Sequence, residues 1–255
     1  MGVIGTGATG VQLITEIAKE VGHLTVFQRT ANYCAPLRNG PIDPDTQHQI
    51  KANYPAIFKQ CSETAGSFVH RFDPRSALEV SPAERLEQYE RLWAEPGFKK
   101  WLANFYDIMI PGKANEDYAE FVRQKIRERV KDPVVAEKLV PTDHMFGSKR
   151  LPCESGYYEV YNQDNVLLVD VREAPIERIT PTGVKTRDAE YDLDVLIFAT
   201  GYDAVTGPLK RIAIRGEGGQ TLQDKFGSWP LLVMSDEHKV RKPVAACPTA
   251  APRVR

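Results

Sequence analysis

No apolar run in this chain approaches the roughly 20 residues of a membrane-spanning helix. Neither sign of charge prevails, with 33 Lys and Arg against 34 Asp and Glu and a net charge of −1. That balance lends no support to a nucleic-acid or membrane partner. The four cysteines, Cys34, Cys61, Cys153 and Cys247, form no C-x-x-C and keep no metal-like spacing to the five histidines. Reduced thiols in a cytoplasmic protein without a metal site are therefore expected. No basic stretch precedes the short apolar segment at the start, so no secretory leader is expected. There is no internal repeat, no H-E-x-x-H, no G-x-S-x-G and no P-loop. Metalloprotease, serine-hydrolase and P-loop chemistry thus lack their motifs.

What the chain does have stands at its beginning. Met1-Gly2-Val3-Ile4 reads as a short strand running into Gly5-Thr6-Gly7-Ala8-Thr9-Gly10, and an amphipathic stretch, residues 11–21, follows at once. Strand, G-x-G-x-x-G and helix in immediate succession are the context of a dinucleotide-binding fingerprint. Gly5 permits the tight turn, Gly7 lets the backbone approach a pyrophosphate, and Gly10 lets the helix pack closely on its strand. The neighbouring amides, those of Thr6, Ala8 and Thr9 included, and the positive end of the helix dipole then face the phosphates. The competing reading is a glycine-rich turn that binds nothing.

Residues 23–27 read as the second strand of a βαβ unit, ending in Gln28-Arg29-Thr30. About 20 residues beyond the glycines, an Asp or Glu usually takes the ribose hydroxyls of NAD or FAD. No carboxylate stands there. Gln28 is neutral, Arg29 can fork onto a phosphate and Thr30 can donate a hydroxyl. A 2′-phosphate, and hence NADPH, fits better than NADH. An exposed arginine at a strand end is the alternative.

At 255 residues the chain can hold one large domain or two smaller ones. Residues 31–44 are loop-like, punctuated by Pro36, Gly40, Pro41 and Pro44. Ser81-Pro82-Ala83-Glu84 is a capping box, and Leu86, Tyr89 and Trp93 recur behind it at helical spacing. Two further helical patterns follow, one carrying Trp101, Phe105 and Ile108 and one carrying Tyr118, Val122 and Ile126. These residues read as core, with an aromatic substrate lining as the alternative. Residues 142–152 form a loop with Lys149 and Arg150 adjacent, readable also as a solvated turn. Residues 165–171 are the apolar run of a buried parallel strand, and residues 176–191 alternate as a hairpin or meander. Residues 191–203 read as a buried strand ending in Ala199-Thr200-Gly201, where a ligand is expected. From about residue 230 the Pro/Ala bias argues for disorder.

Taken together, these stretches resemble the Baeyer–Villiger monooxygenases, flavin enzymes related to phenylacetone and cyclohexanone monooxygenases. The resemblance rests on residues 2–12, Phe27-Gln28-Arg29-Thr30, Gly147-Ser148-Lys149-Arg150-Leu151 and Ala199-Thr200-Gly201-Tyr202-Asp203. These occur in the family's order, across roughly residues 1–229. The resemblance implies an α/β fold. A Rossmann-like NADPH-binding domain would occupy residues 1–150, with a helical insertion at 81–140. Part of an FAD-binding Rossmann-like domain would follow at 151–229, and a disordered or non-native tail at 230–255. It implies that Arg29 and Thr30 hold the 2′-phosphate with Lys149 reaching the same group, and that Ala199, Thr200 and Gly201 close the FAD half. It also implies that Arg150 lies over the flavin and stabilises the peroxyflavin anion, a task suited to a permanent guanidinium. The implied activity inserts one oxygen of O₂ into a small ketone, giving an ester or lactone, with NADPH and FAD as cofactors.

The sequence also departs from the family. The glycine-rich motif for the FAD pyrophosphate and the F-x-G-x-x-x-H-x-x-x-W-P fingerprint are not in it, and residues 230–255 do not match the family's continuation. The chain is therefore expected to be an internal fragment with an incomplete FAD site, inactive by itself. A shifted reading frame near residue 230 would account for the tail. Two other readings stay open: an NADPH-binding remnant without catalysis, and a flavin monooxygenase that oxygenates nitrogen or sulfur.

Overall fold

The computed structural model describes residues 1–202, 211–222 and 224, and two short strands further on. The chain divides into two compact units, Met1–Thr200 and Gly201–Arg255. The first opens with the expected strand–turn–helix: β1 (Gly2–Ile4), α1 (Ala8–Ile17) and β2 (Leu24–Gln28). On α1, Gly10, Val11 and Ile14 share the buried stripe that a 3.6-residue period produces. All five residues of β2 are buried. Its side chains alternate between two cores, Val26 with α1 and the helices on one face and Phe27 with Val169 and Val184 on the other.

After β3 (Ala35–Pro36) come α2 (Pro44–Ala52) and α3 (Tyr54–Ser62). Neither helix buries a residue, which is why no apolar period marks them in the sequence. α4 (Pro82–Ala94) begins at the capping box, where the Ser81 hydroxyl accepts the Glu84 amide. Next are α5 (Lys99–Leu102), α6 (Lys113–Arg127) and α7 (Pro133–Leu139). Tyr89, Trp93, Trp101, Phe105, Ile108, Tyr118, Val122 and Ile126 are all buried in one core with Val3, Val11 and Ile14. The aromatic residues of the insertion pack; they do not line an open surface.

β4 (Cys153–Glu154) pairs with β3, and α8 (Tyr157–Val160) follows. This junction is held by a buried ion pair. The Glu154 side chain has no exposed surface, receives both arms of the Arg129 fork at 2.7 and 3.0 Å, and accepts the amides of Gly156 and Tyr157. β5 (Val166–Asp170) then leads to an antiparallel meander of β6 (Ile176–Thr180), β7 (Gly183–Thr186) and β8 (Glu190–Asp192), and so to β9 (Leu196–Phe198).

The main sheet runs β5-β2-β1-β9, all parallel. Taken in chain order the strands stand 3-2-1-4, the arrangement that opens a doubly wound dinucleotide fold. This corrects two expectations. A boundary at residue 150 would cut the sheet, because β5 and β9 hydrogen-bond into the same layer as β1 and β2, and the compact unit extends to Thr200. The strand at 196–198 is also less buried than its apolar sequence suggests. It pairs only with β1, and Phe198 is 62 % exposed.

In the second unit, β10 (Ser235–Asp236) pairs antiparallel with β11 (Lys239–Val240). The rest of the tail expected from residue 230, and Asp203, lie outside the described residues. Among the described residues no helix is long and apolar enough to cross a membrane, and no group of three metal-ligating side chains gathers.

Candidate nucleotide site

The glycine turn sits at the carboxyl end of β1, and each glycine has its own reason to be there. Gly5 adopts φ +108° and donates its amide to Phe27 O at 3.0 Å. A methyl group on it would lie 2.5 Å from Ala199 O. A methyl on Gly10 would lie 2.2 Å from Gly5 O, so α1 approaches its strand as only glycine allows. Gly7 differs: nothing stands within 4 Å of the place its Cβ would take, and the residue is exposed. Two glycines therefore serve the fold, and the third leaves an open face. Gly7 is the N-cap of α1, no side chain caps the helix, and no acidic residue occupies its first turn. The free amides of Ala8, Thr9 and Gly10 and the positive dipole end remain available to an anion. A nucleotide pyrophosphate fits this cradle. Thr6 is buried, and its hydroxyl donates to Thr30 O at 2.9 Å, tying the turn to the end of β2.

At the end of β2 the three expected residues part company. Gln28 is 1 % exposed, and its Nε2 donates to Lys138 O at 2.6 Å. Its placement among the cofactor contacts is corrected: the last residue of a fully buried strand turns inward and joins the sheet to α7. Arg29 is exposed and Thr30 half-buried in the bend that follows.

The loop carrying Lys149 and Arg150 is pinned to this same region. Gly147 turns at φ +81° directly over Met109, where a methyl group would meet the Met109 Cε at 2.6 Å. Ser148, Lys149 and Arg150 then emerge exposed. The Asn32 amide donates to Arg150 O at 3.4 Å, which holds the loop against the segment just past Thr30. Asp143 accepts from or donates to nothing but its neighbour here, His144, at 2.6 Å between Oδ1 and Nδ1. Burial works against its charge, but that bond and the Lys149 ammonium hold its carboxyl below the usual range. The same carboxylate acts on Arg172, whose guanidinium is stabilised first by its bond to Asp170. Lys149, Asp143 and Arg172 thus share one electrostatic neighbourhood.

Ala199-Thr200-Gly201 was expected to close a flavin half. Instead Ala199 is buried against the glycine turn, donates its amide to Ile4 O at 2.8 Å, and leads into exposed Thr200 and a left-handed Gly201 at φ +88°. The crevice between the ends of β1 and β9 is the point where the strand order reverses, the usual ligand position in such sheets. Sequence reasoning missed Asn32 and gave Asp143 and Arg172 no role. A polar residue in a loop carries no pattern that announces a contact over a hundred residues away.

No family model matches the chain. It is 51 % identical over 230 residues, 90 % of its length, to 2-oxo-Delta(3)-4,5,5-trimethylcyclopentenylacetyl-CoA monooxygenase of Pseudomonas putida, of which it covers 42 %. Cyclopentanone 1,2-monooxygenase of a Comamonas species is 44 % identical over 224 residues, 87 % of this chain and 41 % of that protein. A Baeyer–Villiger monooxygenase of Pseudooceanicola batsensis is 44 % identical over 233 residues, covering 91 % and 42 %. Among solved structures, OTEMO in complex with FAD and NADP matches with a TM-score of 0.88 and 51 % identity, over 91 % of this chain and 43 % of that one. The chain spans about two-fifths of the length of the curated relatives it matches. Over that span, by sequence and by fold alike, it belongs to the Baeyer–Villiger monooxygenases.

Proposed function

We propose that the first unit binds NADPH at the glycine turn in the service of a flavin-dependent oxygenation of a ketone. The observation that carries this reading is the Gly5–Gly10 cradle, closed by Ala199 on one side and open at Gly7, beside a second strand that ends in an exposed Arg29 with no carboxylate. NADPH held there supplies a hydride. The amides at the start of α1 bind the pyrophosphate, and Arg29, Thr30 and Lys149 bind the 2′-phosphate. Arg150, exposed and held by its backbone, offers a fixed positive charge to developing negative charge on the flavin side. Among the described residues there is no second G-x-G-x-x-G turn, so a flavin pyrophosphate takes its contacts outside them. The NADPH unit extends to Thr200, and the flavin part begins beyond it. A relative named for cyclopentanone supports a cyclic ketone, with O₂, as the substrate class. Free Cys34, Cys61 and Cys153 agree with a cytoplasmic setting.

Calorimetric titration tests the reading. NADP⁺ is expected to bind in preference to NAD⁺, and Arg29→Ala to weaken NADP⁺ by roughly tenfold to a hundredfold through loss of one charge-assisted contact. Equal affinities for the two nucleotides, or an Arg29→Ala chain that binds as well as its parent, would overturn it. Ester or lactone production from a panel of ketones, with FAD and NADPH supplied, separates an oxygenating chain from one that only binds.

A further inference from the structure

An open hollow of about 500 Å³ lies between the start of α7 and the end of β5, within the size range of small-molecule sites. We propose that it is the seat of the nucleotide's adenine, an assignment that rests on the NADPH reading above. The first argument is position. Gln28 and Asp170 stand in register across β2 and β5, and Val171 donates its amide to Gln28 O at 2.9 Å. Arg29 and Arg172 therefore leave adjacent strands at nearly the same level. Strands lie about 4.8 Å apart, so the end of β5 is about 10 Å from the end of β1. A pyrophosphate at β1 and a ribose 2′-phosphate at β2 leave the base to β5.

The second argument is chemistry. Arg172 is held edge-on, its Nε and Nη2 donating to the buried Asp170 carboxylate at 3.5 and 3.3 Å and its amide to Oδ1 at 2.8 Å. Both faces of the guanidinium plane stay free of those bonds, and a purine can stack on one of them. Pro133 and Val134 supply an apolar wall, Val134 being 64 % exposed with no protein neighbour to cover it. The rim is acidic. Glu137 and Glu173 are partnered by Arg127 and Lys138, each at 2.6 Å, and keep acceptor lone pairs free. With Asp170 the lining holds three carboxylates against Lys138 and Arg172. Such a lining rejects a phosphate and accepts a flat base that carries an amino donor. Adenine has that donor; hypoxanthine, with a carbonyl in its place, does not.

The test titrates the full chain with adenosine 2′,5′-bisphosphate and with inosine 2′,5′-bisphosphate. The adenosine probe is expected to bind about tenfold more tightly, the worth of one hydrogen bond to a charged acceptor. Arg172→Ala is expected to weaken the adenosine probe by about tenfold. Should Arg172→Ala fail to fold, since it leaves Asp170 unpaired, the comparison of the two probes on the unaltered chain still decides. Equal affinity for the two probes overturns the assignment, as does a folded Arg172→Ala chain that binds the adenosine probe undiminished. If those results come with an Arg29→Ala chain that still loses affinity, the adenine seat fails and the NADPH reading stands. If the unaltered chain binds neither probe, both fail.

Discussion

Gly10→Ala is expected to lower the stability of the first unit by about 3 kcal/mol and to abolish nucleotide binding. Two effects oppose each other. Alanine is the better helix former by about 1 kcal/mol, but its methyl would stand 2.2 Å from Gly5 O, a backbone atom that cannot swing aside. Relieving such a contact moves α1 off its strand, and overpacking of this kind costs typically 1–3 kcal/mol and sometimes more. The clash wins, and the glycine turn deforms with it. A thermal melt should show a fall of roughly 5–10 °C for a unit of this size, and titration should show no NADP⁺ binding. Gly7→Ala is the matched control, since nothing stands within 4 Å of its Cβ position and its φ of −76° suits any residue. It should melt like the parent and still bind poorly, because the methyl occupies space that belongs to the ligand. A Gly7→Ala chain with undiminished affinity would show that the pyrophosphate does not approach there.

Glu154→Ala is the second large effect, and it is purely structural. The substitution leaves Arg129, whose side chain is 21 % exposed, without its bidentate partner, and it orphans the amides of Gly156 and Tyr157. Removing one member of a buried pair costs about 3–5 kcal/mol. Arg129 keeps Glu159 at 2.6 Å, which puts the expected loss near the lower end of that range. Urea unfolding measures it as a shift in midpoint without a change in slope. The double variant Arg129→Ala/Glu154→Ala should be less destabilised than the two single losses summed, since no charge is then left unpaired. Additivity would mean that the pair is not coupled.

The parts of this fold that a reader of the sequence can see are those where local chemistry and tertiary structure agree. The turn at Gly5 to Gly10, the capping box at Ser81 and the meander at 176–192 each announce themselves within a dozen residues. What stays hidden depends on partners far away. Gln28 looks like a ligand contact because it ends a strand, and only the fold reveals that Lys138 O waits beside it. Ala199-Thr200-Gly201 has the look of a second ligand turn, yet β9 returns to the first strand and places it at the first turn. The helices at 44–62 bury nothing, so they leave no period to read. A boundary near residue 150 follows from motif order, and the sheet disregards it because β5 and β9 find their hydrogen bonds on β2 and β1.

The pairing of Gly2 with Leu196 has a consequence for synthesis. β1 leaves the ribosome about 190 residues before the strand that completes its surroundings. At 5–20 residues per second that interval lasts roughly 10–40 s. Throughout it the glycine turn has α1 and β2 to shape it but not Ala199, and one edge of a three-residue strand stays unpaired. Chains in which β9 is delayed, by rare codons or a stall, should expose that edge to chaperones for longer, and the nucleotide cradle should be the last feature of the unit to mature.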